Sequence, residues 1–131
     1  MFLWGILLPN IPEAVYLFYA CSKIGVIANM VDPRTSEEGI KHYIEEVDSK
    51  FVIIIDTYFN KVKNLIDDKV IDKVIAVSPA QSLPFGLNLG YKAKSFFDNL
   101  KDSNKKIEYS DKVYNWHRFI DEGKKIKVAE N

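Results

Sequence analysis

The residue best placed to do chemistry is Asp56, which closes the apolar run FVIIID at the C-terminal end of what reads as a buried strand. A carboxylate there accepts a phosphoryl group only when a divalent cation sits beside it, and such a cation needs further oxygen ligands. The matching place after the first apolar run is held by Pro9 and Asn10, which supply no carboxylate. A second candidate is the turn LLPNIPE, Leu7 to Glu13, at the mouth of the first strand-to-helix unit. Phosphate turns need free backbone N–H groups and the close approach that glycine permits. This turn has no glycine, Pro12 removes one donor, and Glu13 sets a negative charge where an anion would rest. It is expected to be a rigid corner that repels anions.

The remaining polar residues read as support. His42 and His117 share no metal-ligand spacing with Cys21 or with each other, so a zinc site is not expected. Glu37 and Glu38 suit a helix N-terminus, Glu45 and Glu46 a solvated face, and Asp111 and Asp121 polar surface. No residue is assigned a catalytic, cofactor-binding or metal-binding role.

The elements that would position any site follow from hydrophobic period. Phe2 to Leu8 is an unbroken apolar run, the pattern of a strand buried on both faces of a parallel sheet. Pro12 to Ile24 reads as a helix with Ala14, Val15, Leu17, Phe18, Cys21 and Ile24 inward and Gly25 at its end. Val26 to Val31 is a second strand. Thr35 and Glu38 have capping-box spacing ahead of a helix that turns Ile40, Tyr43, Ile44 and Val47 inward, with His42 on the opposite face. Phe51 to Ile55 is a third strand, Thr57 to Asp67 a third helix with Phe59, Val62, Leu65 and Ile66 inward, and Lys73 to Val77 a fourth strand.

This alternation predicts a three-layer α/β/α unit over residues 1–78: four parallel strands in order 2-1-3-4, the first helix on one face and the next two on the other. Residues 79–110 read as an irregular connection, with a short helix over YKAKSFFDNLKD. VYNWHRFIDEGKK reads as a last short helix stopped by Gly123, followed by a frayed charged tail. The whole forms one structural domain.

Composition excludes some functions. The 131 residues carry 18 Lys plus Arg and 18 Asp plus Glu, so no net field recruits nucleic acid. One cysteine makes no internal disulfide, which points to a reducing, cytoplasmic setting. MFLWGILL has neither the basic region nor the cleavage site of a signal peptide. Met1 leads directly into a core strand, so the chain is expected to begin in mid-fold.

The run GILLPNIPEAVYLFYACSKIGVIANMVDPRTSEEGIKHYIEEVDSKFVIIID resembles the early part of the AMP-forming acyl-CoA synthetases of the adenylate-forming superfamily. It carries a strand ending in Leu-Pro-Asn, Pro-Glu opening an apolar helix, Lys23-x-Gly25, a turn at Asp32 to Arg34, and a Ser-Glu-Glu helix start. The resemblance covers Gly5 to about Ser78, and VYNWHRFIDEGKK is similar to a weaker Trp-x-x-Phe-Ile segment. Residues 79–110 look like an insertion found in some members. The resemblance implies a parent that joins a carboxylic acid, expected to be a long-chain fatty acid, to coenzyme A through an acyl-adenylate, using ATP and Mg2+. The family's Ser/Thr/Gly-rich phosphate loop, its Tyr-Gly-x-Thr-Glu stretch, its ribose-binding Asp and its C-terminal Lys have no match here.

The chain is therefore expected to be an inactive fragment of the large N-terminal domain, holding no cofactor itself. Its expected partners are the remainder of the parent enzyme and a second copy of itself. Two alternatives have other signatures. A receiver-like module would use Asp56, and a non-catalytic interaction module would lay LPFGLNLGYKAKSFF on a membrane or a partner.

Overall fold

A computed structural model describes residues 3–78 and 107–125. Residues 79–106 of the expected connection, with its short helix and basic amphipathic stretch, and the tail beyond Lys125 lie outside the described residues. Five strands form one sheet: β1 Leu3–Leu7, β2 Ile27–Met30, β3 Phe51–Ile55, β4 Lys73–Val77 and β5 Val113–Asn115. Their order is β2-β1-β3-β4-β5, and every pairing is parallel. The first four strands follow the expected order. The fifth is a correction, because Val113 to Asn115 lies in the segment read as helix.

The reason is local. Asn115 Oδ1 accepts the backbone N–H of Arg118 at 2.7 Å, so its side chain caps a helix that starts only at Trp116. That leaves β-branched Val113 and aromatic Tyr114 free to pair with β4. The helix also runs through Gly123 to Lys125, since an exposed glycine lowers helix propensity without forcing a stop.

Four α-helices cover the sheet among the described residues: α1 Pro12–Ile24, α2 Glu37–Glu46, α3 Asn60–Asp67 and α4 Trp116–Lys125. A 3-10 turn, Asp56–Tyr58, replaces the first turn expected of α3. Side chains alternate across the strands. One face carries Ile6, Leu8, Ile53, Ile55, Ile75 and Val77, packed with Ala14, Leu17 and Cys21 of α1 and Phe119 of α4. The other carries Leu7, Val52, Ile54 and Val74, packed with Ile40 and Ile44 of α2 and Val62, Leu65 and Ile66 of α3. The expected split of α1 from α2 and α3 is thus what the fold shows.

Three inward assignments on α1 and one on α2 are wrong. Val15, Phe18, Ile24 and Tyr43 all face solvent. A helix lying on a sheet buries only a narrow row, and on α1 that row is Ala14, Leu17 and Cys21 at offsets of three and seven. The cap of α2 is likewise Ser36 rather than Thr35, its hydroxyl accepting from Gly39 N at 3.2 Å.

Candidate functional site

In an open parallel sheet, ligands bind beyond the C-terminal strand ends, at the point where the strand order reverses. Here that point lies between β1 and β3. The turn after β1, the loop after β2 and the 3-10 turn after β3 border a cleft of about 530 Å³, lined by Leu8 to Asn10, Met30 to Arg34, and Tyr58.

The charges of that cleft are already spent on one another. Asp32 lies two residues beyond β2 and is followed by Pro33, and its carboxylate accepts from the Arg34 backbone N–H at 2.8 Å. Arg34 completes the pair, Nη2 to Oδ2 at 2.7 Å and Nε to Oδ1 at 3.1 Å. The guanidinium hydrogen bond, then the backbone one, holds the Asp32 carboxyl down to about 2, and the carboxylate in turn raises Arg34. Lys61 is engaged as well. Its ammonium donates to the carbonyls of Pro33 at 3.0 Å and Thr35 at 2.8 Å, and it lies 4.5 Å from the centre of the Tyr58 ring. This staple ties α3 to the β2–α2 loop.

The β1–α1 turn matches its sequence reading in part. Ile11 is extended and Pro12 opens the helix, so the corner is rigid as expected. Glu13, however, is not a solvated charge. It is only 2% exposed, in the first turn of α1. A triphosphate does not fit this corner, which has no glycine and begins its helix with a proline and a buried acid.

Asp56 does stand at the C-terminal end of β3, half-buried. Burial pushes its carboxyl up, against hydrogen bonds from Thr57 and Ser78 that act the other way. Tyr109 is raised too, first by burial and then by the negative charge of Asp56. Among the described residues no group of three or more His, Cys, Asp or Glu is arranged to hold a metal ion. Among the described residues, Asp56 therefore has no carboxylate company for the cation that a receiver-like reaction requires.

The other singled-out residues are dispersed. His42 is exposed and pairs with Glu46 at 3.7 Å. His117 lies on α4, and Cys21 is buried under α1 with its thiol raised by that burial. Glu37 accepts from the Asn64 amide at 3.2 Å, joining α2 to α3. The Asp32–Arg34 closure and the Lys61 staple were not read from the sequence. The i,i+2 spacing of an Asp-Pro-Arg turn was the available signal for the first, and nothing local signals the second.

The profile of the AMP-binding enzyme family matches residues 4–113, which include all five strands except Leu3 of β1 and the last two residues of β5. The chain belongs to the AMP-binding enzyme family. It is 33% identical over 78 residues to the acetyl-coenzyme A synthetase of Helicobacter acinonychis (strain Sheeba), covering 60% of this chain and 12% of that protein. It is 33% identical over 75 residues to the acetyl-coenzyme A synthetase of Penicillium chrysogenum, covering 57% of this chain and 11% of that protein. A probable 4-coumarate–CoA ligase 1 of Dictyostelium discoideum is 30% identical over 60 residues, 46% of this chain and 11% of that protein. The aligned part of this AMP-binding family member thus spans about an eighth or less of the relatives it matches. No described helix is long and apolar enough to cross a membrane.

Proposed function

We propose that this chain is a scaffold portion of an acid–thiol ligase, one that activates a carboxylate with ATP and passes it to coenzyme A. The observation that carries the reading is the family match over residues 4–113 on a sheet ordered β2-β1-β3-β4-β5. In such a reaction the carboxylate attacks the α-phosphate of ATP, pyrophosphate leaves, and the thiol then displaces AMP from the acyl-adenylate. Charge stabilisation and positioning supply nearly all of the rate in chemistry of this kind. The described residues offer neither at the cleft, where Arg34 and Lys61 are committed to Asp32 and to backbone carbonyls. No step through ATP, Mg2+ or coenzyme A is therefore assigned to this chain's own side chains.

The relatives' names favour a small carboxylate, acetate or an aryl acid, over the long-chain fatty acid first expected. A cytoplasmic location fits a reaction that draws on ATP and coenzyme A. The test is turnover by the purified 131-residue chain with ATP, acetate or 4-coumarate, and coenzyme A, followed as pyrophosphate release. We expect no release above the uncatalysed background. Release that depends on the acid would overturn the scaffold reading.

A further inference from the structure

Among the described residues the β2 edge of the sheet carries no guard of its own. Natural edge strands carry a lysine, a proline or a bulge that discourages pairing with another chain. β2 reads Ile-Ala-Asn-Met, with no charge, no proline and an unbroken register against β1. Ile27 is 43% exposed and Met30 52%, and strand alternation puts them on opposite faces of the sheet. The helix beside this edge is apolar outside as well as inside. Right-handed β1–α1–β2 connection sets α1 over β1 and β2, and at 100° per residue Val15 and Phe18 fall on its β2 flank with Tyr19 on its crest. All three are exposed, and the Phe18 and Tyr19 rings pack edge to face at 5.8 Å.

We propose that this edge pairs with the same edge of a second copy, β2 against β2 in antiparallel fashion, continuing one sheet through a two-fold axis. Two observations favour a second copy as the occupant. The formal net charge is zero, so two copies do not repel one another. In addition, five half-exposed apolar side chains offer on the order of 500 Å² per copy, near the roughly 600 Å² per partner at the lower end of stable interfaces once the strand backbones are added.

The experiment is sedimentation velocity of the full chain from low micromolar to hundreds of micromolar. The expected result is a concentration-dependent monomer–dimer equilibrium. Ile27→Lys and Phe18→Glu should each weaken it by about tenfold or more, while Ile120→Lys on α4, beside the far edge, should leave it intact. A monomer at every concentration overturns the proposal, and so does a dimer insensitive to the first two changes or dissolved by the third. Hydrogen exchange on the unaltered chain supplies a reading that needs no variant. Protection of outward backbone N–H groups in Ile27–Met30 should rise with concentration, and exchange there that ignores concentration overturns the pairing.

Discussion

Asp56 shows how burial governs a carboxylate at a strand end. Its carboxyl is raised by burial in the fold above its ordinary value. The native state therefore holds its proton to higher pH than the unfolded chain does, and ionisation costs stability as pH climbs through that interval. Asp56→Asn is expected to raise the melting temperature at pH 7, with the gain shrinking away below about pH 4, where both states are protonated. Equal melting temperatures at pH 7 would contradict the burial argument. Asp32 has the opposite sign. Its carboxyl lies at about 2, so the Arg34 pair supports the loop above the ordinary carboxylate range and lets go as pH falls toward that value. Ser49 is a second residue where environment decides. Its hydroxyl is buried with no hydrogen-bond partner among the described residues. Ser49→Ala should accordingly stabilise the chain by about 1 kcal/mol in urea unfolding.

The elements are held by ends and by one aromatic cluster. Gly25 ends α1 at φ 77°, where an alanine Cβ would be strained although nothing crowds it. Gly25→Ala should cost about 1 kcal/mol. Lys69 occupies the same region at φ 60° after α3, and Lys69→Gly should be neutral to stabilising by up to about 1 kcal/mol. α4 is pinned through Phe119, whose ring lies 6.2 Å from Phe51 and 5.8 Å from Trp116, with Trp4 stacked on Phe51 at 4.7 Å. Phe119→Ala should cost about 1–3 kcal/mol, less than a fully buried ring because Phe119 is half-exposed. Equilibrium denaturation measures all three. This scale also shows what the sequence could and could not convey. β3 and β4 were legible because five-residue β-branched runs have few other uses, and α3 because Phe59, Val62, Leu65 and Ile66 all face the core. β5 was hidden because three residues have no period to detect, and only the Asn115 cap separates them from the helix that follows. The outward Val15, Phe18 and Tyr43 were misread because apolar residues at helical spacing reveal a face without saying how wide a stripe the sheet covers.

At the scale of the whole molecule, the fold places its strand ends where a nucleotide would be met in a sheet of this order, yet closes the available charges on one another. The strand order was readable from alternating elements and the handedness of their connections. The self-contained charge of the cleft was not, because the Lys61 contacts with Pro33 and Thr35 link residues 26 and 28 positions apart. On the scaffold reading proposed above, the closed cleft and the exposed β2 edge would both belong to a surface that is packed against, with the reactive groups supplied from outside the described residues. Calorimetric titration of the 131-residue chain with ATP, with and without Mg2+, tests this most directly. The account predicts no saturable heat at millimolar nucleotide, whereas a binding isotherm in the micromolar range would contradict it.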